Sequence, residues 1–367
     1  MAVAIDEVMR ALDKLAPFSD AYEWDNSGLL LRAGDTAEGI LVALDVTDDV
    51  IKEALEKGCS LIVSHHPIMF NGIKRLNNRS PEGRRILSMA ANGISLISAH
   101  TNADRHLLND YIARKLGLRD VRPIAEKTDP YKKVVVFVPK GYEDAVMDAA
   151  SGAGAGHTGA YSCCTFGAKG TGTFMPEEGT HPFIGKTGVL ARVEETRLEC
   201  ICPPALLREV LAAVHAAHPY EEPAIDVYDL HAPVAEKGTA RIGRLPGDYR
   251  REEFIRLVKE TFGFDAVRVS QNSPAKIRTV AVCSGGGGSL IASAAANGAD
   301  AFLTGELKHS DYINTDTEKM LLIEAGHFDT EACFVDIVFE GLQRQANALQ
   351  WNVNILKVAL KRPFIIV

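Results

Sequence analysis

Ser64-His65-His66-Pro67 follows the short apolar run Leu61-Ile62-Val63. That is the pattern of a buried strand ending in paired imidazoles, and neutral histidine is the commonest protein ligand for metals. Neighbouring residues of a strand point to opposite faces, so both rings reach one site only if the chain turns at the pair. Pro67 favours an extended or turn conformation at His66, which fits such a turn. The alternative is one buried and one exposed histidine. His327 and Glu331 stand four apart in Gly326-His327-Phe328-Asp329-Thr330-Glu331. A histidine at a strand end and a glutamate on the next helical turn can converge on one ion, while Asp329 or Thr330 caps the helix. Asp104 lies four residues past His100. Its two oxygens can bridge two cations, or it can close an Asx-turn. His100 is either a ligand or a group that orients one. His309, behind Gly305-Glu306, is a candidate for proton transfer or an exposed loop histidine.

Mixed imidazole and carboxylate sets suit zinc, iron or manganese rather than calcium. Five ligands exceed one tetrahedral ion and suit two ions sharing Asp104 or Glu331. No cysteine lies within these motifs, which speaks against a closed thiolate zinc site. An open two-metal site can bind a bridging water and make it a nucleophile at neutral pH. The run Gly285-Gly286-Gly287-Gly288 matches neither a P-loop nor a dinucleotide fingerprint. A tight strand-to-helix turn explains it as well as a phosphate cradle does.

The elements that must position these groups follow from apolar runs and caps. Ile40-Leu41-Val42-Ala43-Leu44 reads as a buried strand with Asp45 at its carboxyl end. Thr47 can cap a helix over 48–57, ended by Gly58. A helix from Pro81 to about Asn92 precedes a strand over 94–98, which runs into His100. This alternation predicts an α/β layered domain, at least partly parallel, and in open α/β sheets ligands collect at strand carboxyl ends. Residues 2–15 carry apolar side chains at helical spacing. Glu23-Trp24-Asp25-Asn26-Ser27-Gly28 is a polar turn, with Trp24 either packed on the core or lining a pocket.

The rhythm changes after Glu126. A strand over 132–138 and a helix over 142–150 lead into residues 152–188, whose ten glycines read as loops, hairpins and open edges. Strands over 188–193 and 197–202 read as a hairpin, followed by a helix over 203–217 and a strand over 224–230. This order predicts a ferredoxin-like α+β unit. From about Thr239 the first rhythm returns, with strands over 279–283, 301–304, 320–323 and 353–358. The expected fold is therefore α/β: two similar three-layer αβα halves, 1–127 and 237–367, forming one core interrupted by a ferredoxin-like domain at 128–236.

Of the 367 residues, 46% are hydrophobic and 24% charged, ordinary values for a soluble enzyme. The net charge of −8 does not indicate a nucleic-acid surface. Seven scattered cysteines without a CxxC pair, and no secretory signal, predict reduced thiols and a cytoplasmic location. No apolar run approaches membrane-spanning length.

Taken together, Ser64-His65-His66-Pro67, His100-Thr101-Asn102-Ala103-Asp104, Thr304-Gly305-Glu306 with His309, and Gly326-His327 with Glu331 resemble the Nif-three-like family. Its members are also called dinuclear metal-centre hexameric proteins or GTP cyclohydrolase I type 2 homologues. Trp24-Asp25-Asn26-Ser27-Gly28 and Leu44-Asp45-Val46-Thr47 look like further signatures. The insert, with His218-Pro219-Tyr220-Glu221-Glu222-Pro223, is similar to the PII- or CutA-like domain of the longer bacterial members. The resemblance implies that His65, His66, Asp104, His327 and Glu331 bind two divalent ions, zinc, iron or manganese. It implies a toroidal homohexamer, a trimer of dimers, with the metal sites facing the central cavity. It also implies a metal-dependent hydrolase that opens the imidazole ring of GTP and releases formate, with His309 or Glu306 moving protons. Two divalent ions against two carboxylates leave a positive site for an anionic or phosphorylated small molecule. The rival expectations are a metal-delivery protein and a regulatory scaffold gated by the insert.

Overall fold

Strands buried on both faces need uninterrupted apolar runs, and such runs form the centre of each core sheet. The computed structural model describes residues 2–124, 131–158, 161–230 and 238–365. The chain divides into two compact units, Met1–Glu126 with Glu236–Val367, and Lys127–Ala235. The first unit contains a five-stranded sheet in the order Asn354–Lys357, Gly39–Ala43, Leu61–Ser64, Ser95–Ser98, Gly28–Leu31. Its first four strands are parallel, and Gly28–Leu31 is an antiparallel edge. Every residue of Gly39–Ala43, Leu61–Ser64 and Ser95–Ser98 is buried.

Helices Ile5–Leu15 and Cys333–Leu349 cover one face, setting Ile5, Val8, Leu12, Val338 and Leu342 against Ile40, Val42 and Val63. Helices Asp48–Glu56 and Pro81–Ala91 cover the other, with Ile51, Ala54 and Met89 against Leu41, Ile62 and Leu96. The helix expected from residue 2 starts at Ile5, because Val3–Ala4 pairs with Thr36–Ala37.

A six-stranded sheet follows the order Arg268–Val269, Leu321–Glu324, Ala301–Glu306, Ile277–Gly286, Arg241–Tyr249, Arg119–Pro123. Its three central strands are parallel and the flanking ones antiparallel. Phe254 and Val258 pack on one face with Ile112 and Ala113. Leu290, Ile291 and Ala294 pack on the other. Both core sheets are thus the middle of a three-layer α/β sandwich. The two halves interlace, which strand periodicity does not reveal. Strand Asn354–Lys357 adds to Gly39–Ala43 with Ile355 opposite Ile40, so it belongs to the first sheet. Arg119–Pro123 in turn edges the second sheet.

The second unit runs strand Lys132–Pro139, helix Glu143–Gly152, strands Thr165–Phe174 and Ala191–Cys202, helix Leu207–Ala217 and strand Ile225–Asp229. The sheet order is Ile225–Asp229, Lys132–Pro139, Ala191–Cys202, Thr165–Phe174, with each neighbouring pair antiparallel. The hairpin expected at 188–202 is instead one continuous strand, Ala191–Cys202. Its partner comes from the glycine-rich stretch. A Cβ on Gly172 would lie 2.0 Å from Glu195 Oε2, so the glycine makes room for a side chain of the facing strand. Gly167, Gly170 and Gly172 thus lie in an edge strand of this sheet, while Gly154, Gly156, Gly179, Gly185 and Gly188 lie in turns and loops, as the glycine-rich run suggested.

Candidate metal centre

The site lies at the carboxyl ends of the parallel strands. After Ser64 the chain turns: the His66 N–H donates to the Leu44 carbonyl at 3.0 Å, and Ser64 Oγ donates to the His66 carbonyl at 2.9 Å. The turn brings the two imidazoles together, with ring centroids 4.9 Å apart. His65 is completely buried. Its Nδ1 donates to the Ala99 carbonyl at 3.0 Å. A carbonyl only accepts, so Nδ1 carries a proton, and Nε2 is the ring nitrogen turned toward the cluster. That Nε2 lies 3.8 Å from Asp104 Oδ1 and 3.7 Å from Glu331 Oε1, and has no hydrogen-bond partner among the described residues. His66 Nδ1 is held by Asp45 Oδ1 at 2.8 Å, leaving Nε2 2.9 Å from Glu331 Oε2.

Asp104 opens a π-helical turn, Asp104–Leu108, a distortion that recurs at functional sites. It is buried, and its Oδ1 accepts from Ser284 Oγ at 2.5 Å. Asn109 Oδ1 accepts from the Ser284 N–H at 2.7 Å, so the second sheet fixes the aspartate of the first. His327 and Glu331 share the short helix His327–Glu331, with Nε2 3.2 Å from Oε1. Gly285, at φ +60°, lies against this pair: a Cβ there would fall 2.2 Å from Glu331 Oε1. A Cβ on Gly287 would fall 2.4 Å from Thr304 Oγ1. Close approach within a tight turn therefore accounts for these two glycines. The helix that follows, Ile291–Ala296, has only six residues.

Burial opposes the charge of Glu331, yet His65, His327 and His66 together hold its carboxyl well below the usual range. Burial likewise opposes a charged His66, but hydrogen bonds to Asp45 and Glu331 raise it to about 10. The hydrogen bond to Glu331 raises His327 to about 9, against its burial. Burial raises Asp104. A cation held by these atoms would compete with protons for them, so its binding would weaken as pH falls.

Three donor groups each have ligand atoms within 4.8 Å of one another: His65, Asp104 and Glu331; His66, His327 and Glu331; and His65, His66 and His100. The first two share Glu331, whose two oxygens can serve two adjacent ions. The buried, unpartnered Nε2 of His65 and the imidazole–carboxylate donor set fit zinc, iron or manganese.

The structure therefore brings His65, His66, Asp104, His327 and Glu331 together. Glu306 reaches the outer edge of the cluster, where its Oε2 accepts from His327 Nδ1 at 3.1 Å. His309 begins the helix His309–Asn314, is exposed, and belongs to none of the donor groups among the described residues. Sequence reasoning missed the carboxylates that orient the imidazoles. Asp25 Oδ1 accepts from His100 Nδ1 at 2.8 Å, and its Oδ2 from Thr101 Oγ1 at 2.6 Å and Ser27 Oγ at 2.8 Å. Burial opposes the charge of Asp25, but His100, Thr101 and Ser27 hold its carboxyl well below the usual range. Asp25 stands in the polar turn and Asp45 at a strand end. Those places were visible, but the histidines they serve lie 75 and 21 residues away.

Beside the imidazoles lies an aromatic surface. Trp24 stacks on Tyr22 at 5.2 Å, and Phe70 lies 5.8 Å from Trp24 and 6.0 Å from His100. Trp24 is 58% and Phe70 47% exposed. Trp24 is therefore not a core residue.

The family model described as Duf34/NIF3 (NGG1p interacting factor 3) matches residues 3–363. A Halalkalibacterium halodurans protein named GTP cyclohydrolase 1 type 2 homolog is 40% identical over 324 residues, 87% of each chain. A Bacillus subtilis protein of the same name is 36% identical over 357 residues, 95% of this chain and 94% of that one. The crystal structure of a Bacillus cereus protein related to NIF3 superposes with a TM-score of 0.65 at 35% identity, covering 100% of this chain and 99% of the other.

Proposed function

Because the chain belongs to the Duf34/NIF3 family, we propose that it is a dinuclear metal-binding protein acting as a metal-dependent hydrolase on a nucleotide-like substrate. The observation that carries this reading is Glu331, a buried carboxylate shared by two adjacent donor triads. His65 and Asp104 would hold one ion with it, and His66 and His327 the other. Divalent ions bound here supply Lewis acidity and bring the pKa of a bound water toward neutrality. The chain's own residues do the rest. The Ala99 carbonyl, Asp45 and Ser284 fix the directions of His65, His66 and Asp104. Glu306, exposed and bonded to His327, is placed to exchange a proton with solvent, and His309 is the second candidate for that task. The exposed rings of Trp24 and Phe70 offer faces on which a planar base can stack.

The relatives' name, GTP cyclohydrolase 1 type 2 homolog, makes GTP the first substrate to test. Protein loaded with zinc, manganese or iron should release formate from GTP, and a His65→Ala, His66→Ala double variant should not. No formate from any loaded form rules out the cyclohydrolase version. Metal delivery is the second reading, supported by the 41% exposure of the His327 side chain, which leaves the cluster open to solvent. Rapid ion exchange without hydrolysis would favour it. We further propose that the chains assemble as a toroidal homohexamer, in keeping with the sequence resemblance.

A further inference from the structure

The segment His218-Pro219-Tyr220-Glu221-Glu222-Pro223 belongs to none of the metal-donor groups among the described residues. In the Lys127–Ala235 unit it borders a cleft of about 370 Å³, a volume within the small-ligand range. Phe137, Phe174, Phe183 and Tyr220 supply aromatic walls. Phe174 lies 5.7 Å and Phe183 6.3 Å from the Tyr220 ring. Tyr220 is held from behind. Buried His218 packs edge-on against its ring at 4.9 Å, accepts the Tyr220 N–H on Nδ1 at 3.1 Å, and donates from Nε2 to the Phe137 carbonyl at 3.0 Å.

The charged side chains that line the cleft are all acidic, and the guanidinium of Arg197, 5.8 Å from the Phe137 ring centroid, is not part of the lining. The lining includes Glu195, Glu221 and Glu222 and no lysine, arginine or histidine. Glu195 Oε1 accepts from the Tyr220 hydroxyl at 3.0 Å, and no cationic side chain pairs with Glu195 among the described residues. Its other oxygen lies over Gly172, in space that a Cβ would fill. Burial and Glu195 push the Tyr220 hydroxyl well up, so it stays protonated and donates. Aromatic faces attract cations through the ring quadrupole, and a carboxylate among them adds charge complementarity that a neutral guest cannot use.

We propose that this cleft binds a small organic cation of the alkylammonium type, caged by Phe174, Phe183 and Tyr220 and paired with Glu195. Calorimetric titration of the full chain with choline, and with its neutral carbon isostere 3,3-dimethylbutan-1-ol, tests this. Choline should bind at least about tenfold more tightly than the alcohol. Glu195→Gln, which keeps the side chain's shape, should abolish that preference without weakening the alcohol. Phe183→Ala, at an exposed ring, should weaken choline several-fold with an unchanged circular dichroism spectrum. Equal affinities for the two probes, a choline preference that survives Glu195→Gln, or no binding of either probe up to tens of millimolar would each overturn the assignment.

Discussion

Glu331 shows how much of the site rests on single contacts. It is 2% exposed and meets three imidazoles, so the space around it is as constrained as its charge. Gly285→Ala would place a methyl group 2.2 Å from Glu331 Oε1 at a φ of +60°. The expected result is loss of bound metal together with more than about 1 kcal/mol of stability, checked by elemental analysis and thermal unfolding. Ser284→Ala removes the donor that fixes Asp104. Zinc affinity, measured by competition with a chromogenic chelator, should fall about 10–100-fold, and unchanged affinity would show that Ser284 does not orient the ligand. The five clustered residues stood out in the sequence as candidates near strand ends, each with a structural alternative, and it was the family resemblance that singled them out as one set. Asp25, Asp45 and Ser284 were not legible as orienting groups, because a partner brought in across the fold leaves no spacing signature.

At the scale of elements, helix Cys333–Leu349 links packing to chemistry. Fully buried Phe334 lies 4.9 Å from the His65 ring, while Leu342 packs in the same core farther along the helix. Phe334→Ala should cost about 3–5 kcal/mol and Leu342→Ala about 2–5 kcal/mol. Only the first should also weaken metal binding. Equal metal affinities in both variants would separate the packing of this helix from the site.

The second unit supplies a pH test. Burial pushes the His218 imidazole down from its ordinary value of 6.5, although the Phe137 carbonyl opposes this. Below that value the unfolded chain takes up the proton more readily than the folded one. Stability is therefore full above 6.5 and declines as pH falls through it toward the lower folded value. The protection factors over Leu207–Ala217, in which the intrinsic slowing of exchange at lower pH is divided out, should fall between about pH 8 and about pH 5.5. A protection factor that stays flat would refute the linkage.

The parallel strands were readable as elements because both faces are covered and apolar side chains run without a break. The Ala191–Cys202 strand was read as a hairpin because its exposed Glu194 and polar neighbours break the apolar run that marked the others. No local pattern says which sheet Asn354–Lys357 will extend, since edge pairing is decided by tertiary packing.

At the scale of the whole molecule, the interlaced core explains why candidate ligands from distant parts of the chain meet. Cys333–Leu349 follows Glu331 directly and packs on the first sheet, carrying His327 and Glu331 toward His65 and His66. No helix among the described residues is long and apolar enough to cross a membrane. Sedimentation velocity tests the proposed assembly: a single boundary of six-chain mass is expected, and a stable monomer at micromolar concentration would contradict it.

The proposed function stands on two adjacent ions sharing Glu331, and anomalous diffraction at the absorption edge of the metal found in protein purified without added metal decides whether they are there. Two peaks are expected, one about 2.0–2.3 Å from atoms of His65, Asp104 and Glu331, the other at the same range from His66, His327 and Glu331. A single peak, peaks away from Glu331, or no peak in crystals soaked with zinc or manganese would contradict it.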